Sequence, residues 1–354
     1  MNKYDIIKIN SREKNSKKVL IIYTGGTLGM VYDNLTGRLI PFKFDQIVEN
    51  IPELNRLNLE LCFLSFLRPI DSSNVSPEIW IELVEIIELN YYNYQGFVIL
   101  HGTDTMAYSA SALSFMIQNL TKPIVFTGAQ LPIGIPRTDA RENLISSIQI
   151  AGSTINEQVI VPEVCIYFNG RLLRGNRAKK RESSQFDAFD SENFPYLAEI
   201  GVNIDYNFLN IHIPKPRKLP EFFKKINNNV AILKLFPGIN KEFINNFFNQ
   251  NSLKGVVLET YGSGNAPSND WFLACLEYAI RKGVIIYNVS QCTGGTVQMG
   301  KYETSEKMKE MGIISGKDIT LEAAITKMMW VLGNEDNLNK IKELLENNLM
   351  GEMV

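Results

Sequence analysis

The sequence predicts an α/β fold, with a larger N-terminal domain that has a mostly parallel sheet flanked by helices and a smaller C-terminal α/β domain. Short apolar runs of strand length alternate with helix-length segments, which is the pattern of parallel sheets joined by helices. The chain has 354 residues, and at roughly 150 residues per domain this length predicts two domains. Hydrophobic residues make up 45% of the chain and charged residues 21%, as in globular proteins with a substantial core.

Each predicted strand is a short apolar run, and each predicted helix is an amphipathic segment between two such runs. The predicted strands are Val19–Tyr23, Phe97–Leu100, Ile124–Phe126, Val164–Tyr167, Val230–Leu235, Gly255–Leu258 and Val284–Tyr287. The predicted helices are Pro77–Leu89, Thr105–Gln118, Ala140–Ile150, Lys241–Phe248, Trp271–Arg281 and Thr320–Leu332. Near-continuous apolar runs of this kind are typical of strands that are buried on both faces.

A domain boundary is predicted at residues 206–228. The stretch Ile211–Pro220 contains three prolines and several charged residues, and proline-rich polar segments form extended linkers. We therefore expect a catalytic α/β domain at 18–205 and a second α/β domain at 229–354. Residues 1–17 lack the apolar core of a signal peptide, and we interpret them as a short polar leader.

The charge pattern argues against nucleic-acid and membrane partners. The formal net charge is -2, and the densest positive stretch, Arg174–Arg181, has no aromatic residues interleaved. Such a stretch indicates a solvated loop rather than a nucleic-acid surface. No apolar run approaches the length of about 18 residues that is needed to span a bilayer. We therefore expect a cytoplasmic protein.

Few side chains are available for metal or cofactor chemistry. The chain has two histidines, His101 and His212, so a Ser–His–Asp triad or a His-rich metal site has little to draw on. Its four cysteines are far apart and form no CxxC pair, which argues against a zinc site or a disulfide framework. We expect no metal and no cofactor. The chemistry must then depend on hydroxyls, carboxylates, lysines and backbone N–H groups.

A glycine-rich loop, Thr24–Gly29 (TGGTLG), directly follows the first predicted strand. Two adjacent glycines permit a tight turn and the close approach of a ligand to the backbone. A dinucleotide site requires the spacing GxGxxG before a helix, and Gly25, Gly26 and Gly29 do not fit it. A purely structural glycine turn remains an alternative at this point.

Two further loops with hydroxyl and carboxyl groups also follow apolar runs. Asp71–Asn74 follows the run Leu61–Leu67, and His101–Thr105 follows a predicted strand. In open parallel sheets, ligands bind beyond the carboxyl ends of the strands, so three such loops at one edge predict a site. The structural alternative is helix capping by the Ser/Asn cluster or by Asp104.

These loops make Thr27 a candidate nucleophile, and a structural glycine turn is the alternative. A threonine hydroxyl needs a group to take its proton, and here that group is a neutral lysine, a tyrosine, or a carboxylate acting through water. Backbone N–H groups of the glycine turn suit an oxyanion. Asp104 suits a substrate ammonium, and the loop with Ser72 and Ser73 suits a substrate carboxylate. The combination indicates a small zwitterion such as an amino acid.

Two segments resemble the signature segments of bacterial L-asparaginases, most closely the cytoplasmic type I enzymes. They are TGGTLGM at Thr24–Met30 and GFVILHGTDTMAYSASALSFM at Gly96–Met116. Further similar segments are Asp71–Asn74, Arg174–Lys180, Phe186–Phe189, Tyr261–Pro267 and the region of Gln291–Gly300. The resemblance implies hydrolysis of asparagine to aspartate and ammonia through an acyl-enzyme on threonine, with weaker glutaminase activity. It also implies a homodimer or homotetramer in which a neighbouring subunit completes each site.

The resemblance also implies roles for individual residues. Thr27 matches the nucleophile, and Thr103, Asp104 and Lys180 match the group that supports acylation and the attack of water. The segment with Asp71, Ser72 and Ser73 matches a substrate-binding loop, in which Ser72 contacts the substrate carboxylate. Thr103 and Asp104 also bind substrate, Asp104 through the ammonium. Asn265 resembles a residue lent by the neighbouring subunit.

Two departures from the family pattern affect the expected chemistry. The loop after the nucleophile usually carries a tyrosine, but Arg38 and Leu39 occupy that place, and Tyr32 lies in the same loop at a different position. Lys179 precedes Lys180 where the family tends to have threonine. The group that takes the proton of Thr27 is therefore left open.

Three other functions compete with an asparaginase. A subunit of a tRNA-dependent amidotransferase usually carries an additional N-terminal domain, for which residues 1–17 are too short. Lysophospholipase-type relatives tend to carry added repeats, and nothing similar is seen here. A catalytically inactive asparagine sensor is disfavoured because Thr27, Thr103, Asp104 and Lys180 occur together.

Overall fold

The structure is a computed structural model that describes residues 4–9, 16–32, 39–41, 51–213 and 218–354, with only the backbone given for Tyr32 and residues 39–41. The chain divides into two compact units, Met1–Phe223 and Lys224–Val354. The division falls within residues 206–228, and an extended linker there remains a proposal. Part of that segment, Glu221–Phe222, pairs with Ile117–Gln118 of the first unit.

The first unit contains a nine-stranded sheet. From one edge to the other its strands are Tyr4–Ile9 (β1), Glu60–Phe66 (β3), Lys18–Tyr23 (β2), Gly96–Leu100 (β4), Ile124–Thr127 (β5), Val164–Phe168 (β6), Arg171–Arg174 (β7), Ala198–Ile200 (β8) and Ile204–Tyr206 (β9). The five strands from β3 to β6 pair in parallel. The outer pairings, β1 with β3 and β6 through β9, are antiparallel.

The sheet is therefore mixed, and the expectation of a mostly parallel sheet holds for its centre alone. Between β6 and β7 the chain reverses in a two-residue turn, Asn169–Gly170, whose φ angles are 47° and 78°. Asn-Gly is the favoured sequence for such turns, because both residues tolerate positive φ and the turn matches the twist of the strands. The Asn-Gly dipeptide is therefore a signal in the sequence for the hairpin of β6 and β7.

Part of the predicted polar leader is structured, because Tyr4–Ile9 (β1) forms an edge strand against β3. The Tyr4 ring packs on Phe66 with ring centroids 5.4 Å apart, and its hydroxyl donates to Glu82. Ile7 and Ile9 pack against the core. Polar residues surround these apolar side chains, so the composition of residues 1–17 does not indicate the strand.

Among the described residues of this unit, three helices accompany the sheet: Pro77–Asn90 (α1), Met106–Met116 (α2) and Ala140–Gly152 (α3). Helix α2 is buried almost throughout, and its small side chains permit close packing: a Cβ on Gly175 would lie 3.1 Å from Ala110 Cβ. The unit also has 3₁₀ turns at Thr27–Gly29, Pro52–Arg56, Ser72–Asn74 and Gly175–Arg177, and two-stranded ribbons that join Met30–Tyr32 to Leu39–Pro41, Thr154–Ile155 to Gln158–Val159, and Lys179–Lys180 to Phe189–Asp190.

The second unit contains a four-stranded parallel sheet with its own apolar core. Its strands, in spatial order, are Val230–Lys234 (β10), Gly255–Thr260 (β11), Ile285–Ser290 (β12) and Ile314–Ser315 (β13). Its helices are Lys241–Phe248 (α4), Asp270–Arg281 (α5), Glu303–Glu310 (α6), Leu321–Asn334 (α7) and Leu338–Glu346 (α8). Helices α6 and α8 were not predicted, because each buries only one or two large apolar side chains.

Across the described ranges of both units, no helix is long and apolar enough to cross a membrane.

A buried ion pair stabilises the second unit. Lys327 Nζ lies 2.7 Å from Glu352 Oε1, and both side chains are fully buried. Lys327 also donates to the Leu345 and Asn347 carbonyls, while Glu352 accepts from the Leu349 and Met350 N–H groups. Burial lowers the pKa of Lys327, against the effect of the Glu352 carboxylate.

Lys327→Met is expected to lower the free energy of unfolding of the second unit by about 3–5 kcal/mol, because it leaves a carboxylate buried without its cation. Adding Glu352→Gln removes that charge and should recover part of the loss. Urea unfolding of the three proteins measures both effects. Lys307→Met, at an exposed ion pair with Glu303 in the same unit, is the matched control and should keep the wild-type midpoint. A single variant as stable as wild type would contradict this assignment.

Candidate functional site

The loops that follow β2, β3 and β4 are joined by backbone hydrogen bonds at one edge of the sheet. The Thr24 N–H and hydroxyl both donate to the Leu100 carbonyl at 3.0 Å. The Ile70 N–H donates to the Thr24 carbonyl at 2.7 Å. The sequence placed these loops at the carboxyl ends of neighbouring strands, and the structure brings them into direct contact.

Glycines allow the loop backbones to touch. Gly26 has a φ of 92°, and a Cβ there would lie 2.6 Å from the Gly102 Cα. A Cβ on Gly102 would lie 2.5 Å from the Ser72 Oγ, and one on Gly25 would lie 2.1 Å from the Ile70 carbonyl oxygen. Real Cβ atoms do not approach so closely, so any side chain at these positions would separate the loops.

Thr27 begins the 3₁₀ turn that follows Gly26, and it is half-buried. Tyr23 supports this turn, since its hydroxyl donates to the Gly29 carbonyl at 3.1 Å. Among the described residues, the Thr27 hydroxyl has no hydrogen-bond partner. Arg38 and the side chains of Tyr32 and Leu39, the positions where a tyrosine was sought, lie outside the described residues and side chains.

Lys180 connects Thr103 and Asp104. Its Nζ donates to Thr103 Oγ1 at 2.8 Å and to Asp104 Oδ1 at 2.7 Å. The Lys180 side chain is 19% exposed, whereas that of Asp104 is 64% exposed and open to a ligand. Three of the predicted catalytic residues therefore form one hydrogen-bonded cluster, although Lys180 lies 77 positions from Thr103 and 76 from Asp104 in the chain.

A short ribbon brings Lys180 to this cluster. Lys179 and Lys180 pair with Asp190 and Phe189, and the Phe189 ring is buried against Phe168 at a centroid distance of 5.1 Å. Arg181 extends the ribbon by an ion pair with Asp190. The segment Phe186–Phe189 resembles a family segment, and it also has a physical role, because Phe189 belongs to the strand that pairs with Lys180.

Neither helix-capping alternative is found at the predicted helices. Ser76, rather than the Ser/Asn cluster, occupies the N-cap of α1. Asp71 caps the short Ser72–Asn74 turn instead: its carboxylate accepts from the Ser73 N–H and hydroxyl, each at 2.9 Å. The Ser73 N–H bond holds the pKa of Asp71 below its usual value. Asp104 is not the cap of α2, since Thr105 occupies that position. The Asp104 carboxylate binds Lys180 instead.

Ser72 is buried where the second and third loops meet. Its carbonyl accepts a hydrogen bond from Thr105 Oγ1 at 2.7 Å, and its side chain packs against Gly102. Within the part of the chain that the structure describes, its own hydroxyl has no hydrogen-bond partner. That hydroxyl is available to a ligand.

A fourth loop, which the sequence reasoning missed, follows β5 at the same edge. A Cβ on Gly128 would lie 2.4 Å from the His101 carbonyl oxygen and 3.6 Å from Thr103 Cγ2. The Asp139 carboxylate holds this loop by accepting from the Gln130 and Leu131 N–H groups. The available signal was a glycine directly after a predicted strand, as in the first loop.

His101 supports the site from below through a buried hydrogen-bonded chain. Its Nδ1 lies 2.7 Å from the Gly102 carbonyl and its Nε2 lies 3.0 Å from Ser109 Oγ, which accepts from Trp80 Nε1 at 2.9 Å. A carbonyl only accepts, so Nδ1 carries the proton and Nε2 accepts from the serine. Burial lowers the pKa of His101 to about 4.

Asn265 lies in the second unit, in a tight turn that Tyr261 begins. The Tyr261 N–H donates to the Asn265 carbonyl at 2.9 Å, and the Asn265 N–H donates to the Tyr261 carbonyl at 2.9 Å. The side-chain Oδ1 of Asn265 is buried without a hydrogen-bond partner among the residues described. An unpaired buried acceptor costs about 1–3 kcal/mol, so the turn holds the Asn265 side chain in an unfavourable position.

Two family models match the chain in sequence order. The model "Asparaginase, N-terminal" matches residues 18–211, and "Glutaminase/Asparaginase C-terminal domain" matches residues 229–345. The chain belongs to the asparaginase family. The predicted asparaginase resemblance and the predicted α/β fold class are therefore confirmed.

Individual relatives match almost the whole chain. It is 37% identical over 340 residues to L-asparaginase 1 of Escherichia coli (strain K12), a match that covers 95% of this chain and 98% of that protein. The crystal structure of L-asparaginase I from Vibrio cholerae superposes with a TM-score of 0.86 at 37% identity, over 96% of this chain and 99% of that one. The 60 kDa lysophospholipase of Mus musculus is 38% identical over 361 residues, which cover 95% of this chain and 62% of that protein.

The buried His101 predicts a specific dependence of stability on pH. Its pKa of about 4 in the folded chain lies below the usual 6.5, so the unfolded chain binds a proton that the folded chain does not. Between these values, stability should fall as the pH falls, by up to about 1.4 kcal/mol per pH unit. Above pH 6.5 this contribution is constant.

His101→Gln removes this titration and should flatten the dependence of the free energy of unfolding on pH between 4.5 and 6. Urea unfolding at several pH values measures the slope. The matched control is His212→Gln at the exposed histidine, which should keep the wild-type slope. Equal slopes in wild type and His101→Gln would show that His101 does not remain neutral in the folded chain.

Proposed function

We propose that this chain hydrolyses L-asparagine to L-aspartate and ammonia, and glutamine more weakly, with a role in asparagine breakdown. The observation that carries the proposal is the Lys180 ammonium bound to both the Thr103 hydroxyl and the Asp104 carboxylate, beside the glycine loop with Thr27. Support also comes from the L-asparaginase 1 relative, which matches almost full length. Glutamine is one methylene longer, a difference that a pocket discriminates by about 1–3 kcal/mol.

The reaction proceeds in two steps on Thr27. Its hydroxyl oxygen bonds to the amide carbon of asparagine, the carbon–nitrogen bond breaks, and the hydroxyl proton leaves with the nitrogen as ammonia. The oxygen of a water molecule then bonds to the acyl carbon, the ester bond breaks, and a proton returns to Thr27. N–H groups of the glycine turn stabilise the oxyanion in both steps.

Thr103 and Lys180 assist the proton transfers. The Lys180 ammonium donates to Thr103 Oγ1, which leaves the threonine proton free to point toward another acceptor. A hydroxyl oriented in this way can both accept and release a proton during acylation and water attack.

The substrate is held by its two charged ends. The exposed oxygen surface of Asp104 receives the α-ammonium, and the Ser72 hydroxyl receives the α-carboxylate. Ser73 and Asp71 shape this side of the site, because the Asp71 carboxylate fixes the Ser73 N–H and hydroxyl. Thr103, which binds the same Lys180 ammonium as Asp104, contacts the substrate beside it.

We further propose a homodimer or homotetramer in which Asn265 of a neighbouring copy completes each site. The segment Tyr261–Pro267, which resembles the family segment that lends this residue, supports this assignment. A cytoplasmic location is also proposed. It is supported by the four cysteines, all of which are free thiols.

Thr27→Ala should lower kcat for asparagine by more than about a thousand-fold, because the acyl-enzyme has no oxygen to form on. Binding of the product aspartate should persist, which calorimetric titration measures. Thr121→Ala, at another threonine of the first unit, is the control and should hydrolyse asparagine at the wild-type rate. More than trace ammonia release by pure Thr27→Ala would rule out this nucleophile.

Asp104→Asn should raise KM for asparagine by about 10- to 100-fold, as expected for the loss of a charge-assisted hydrogen bond. Succinamic acid, which is asparagine without its α-ammonium, is the matched substrate and should show a much smaller change in KM. Steady-state ammonia release with both amides measures the contrast. An unchanged KM for asparagine would remove Asp104 from ammonium binding.

A further inference from the structure

The turn that presents Asn265 is held from inside the second unit by a buried amide. Asn288, on β12, is fully buried, and its Nδ2 donates to the Gly264 carbonyl at 3.1 Å. Its Oδ1 accepts from Thr260 Oγ1 at 2.6 Å, at the end of β11. One side chain thus ties the ends of two neighbouring strands to the residue directly before Asn265.

The hydrogen-bond pattern leaves Asn288 one orientation. If its amide were rotated by half a turn, Oδ1 would face the Gly264 carbonyl oxygen, and two acceptors would lie opposite each other without a proton. The second proton of Nδ2 points toward Met299 Sδ at 3.0 Å. The amide is therefore fully used in the observed orientation.

The backbone of the turn leans directly on this amide. Gly264 has a φ of 100°, and a Cβ there would lie 3.2 Å from Asn288 Nδ2 and 2.6 Å from Val297 Cγ1. The Gly264 N–H closes the turn by donating to the Tyr261 carbonyl at 3.0 Å. The turn cannot shift toward the sheet because of these contacts, and it cannot shift away without breaking the bond from Asn288.

The position of Asn265 is therefore set by a residue that lies beneath it. Asn265 keeps its Oδ1 buried and without a partner among the described residues, which is unfavourable unless the turn is held by other contacts. The contacts of Gly264 with Asn288 supply that restraint. A side chain on a turn that is held in this way loses less conformational freedom when it binds a ligand.

We propose that Asn288 is a positioning residue, which fixes Asn265 through Gly264 for its role in the site of a neighbouring copy. The inference rests on the proposed function, because it is that function that gives Asn265 a substrate. Asn288 itself touches no substrate. Its effect on hydrolysis must pass through Asn265 and disappear when that side chain is removed.

The test is a double-mutant cycle on the full-length protein, with kcat/KM for asparagine as the readout. Asn288→Leu removes the bond to Gly264 without adding a charge, and Thr260→Val removes the hydroxyl that orients the amide while keeping its shape. Each is made in the wild-type chain and in Asn265→Ala. Should Asn288→Leu fail to fold, Thr260→Val carries the cycle alone.

We expect Asn265→Ala to lower kcat/KM by tenfold or more. Asn288→Leu should lower it by five- to tenfold in the wild-type chain and by less than twofold in Asn265→Ala, with Thr260→Val following the same pattern at smaller size. Thr326→Val is the control: it removes a buried hydroxyl on α7 of the same unit, and its kinetics should match the wild type.

Two outcomes would overturn the inference, and they differ. Equal losses from Asn288→Leu with and without the Asn265 side chain would show that Asn288 acts by stability or another route, while the proposed function stands. Wild-type kinetics in Asn265→Ala would remove the role of Asn265, and with it both the shared site and the positioning by Asn288.

Discussion

The close approach of loop backbones at one edge of the large sheet is the constraint on which the site depends. Gly26 lies against Gly102, Gly102 lies against Ser72, and Gly128 lies against the carbonyl of His101. A glycine backbone forms one side of each contact, so the relative positions of these loops depend on the absence of a Cβ there. Thr27 and Thr103 each directly follow one of these glycines, and Ser72 itself contacts Gly102.

Each unit places its functional side chains on turns that are supported from beneath by a buried polar chain. In the first unit, Trp80, Ser109 and His101 lead to the Gly102 carbonyl. In the second, Thr260 and Asn288 lead to the Gly264 carbonyl. Both hydrogen-bonded chains end at the carbonyl of a glycine that directly precedes a residue of the proposed site. A Cβ on either glycine would clash with its neighbours. Fully satisfied buried networks of this kind rigidify the backbone that they contact.

Much of the fold follows from sequence patterns, and the exceptions have physical causes. The bounds of the predicted strands and helices lie within three residues of the observed ones, because buried runs and amphipathic segments are strong signals. The strand Tyr4–Ile9 was missed, since an edge strand needs only one apolar face. The helices Glu303–Glu310 and Leu338–Glu346 were missed, since short surface helices bury little.

For the site, the identity of its residues was easier to predict than the contacts between them. The sequence predicted Lys180 as a partner of Thr103 and Asp104 only by resemblance, because nothing local indicates that a distant ribbon will carry it there. The roles of Gly128, His101 and Asn288 depend on distances between loops. Asp71 shows the opposite case: its capping role is local, and the spacing to Ser73 suffices to anticipate it.

The buried imidazole of His101 is also an intrinsic spectroscopic probe. The chain contains two histidines, so the imidazole signals need little effort to assign. The Nδ1 proton of His101 is sealed from water and bonded to the Gly102 carbonyl at 2.7 Å, so it should exchange slowly and resonate far downfield in a proton spectrum. Any ligand that moves the turn with Thr103 and Asp104 would shift that single resonance, without a label and without turnover.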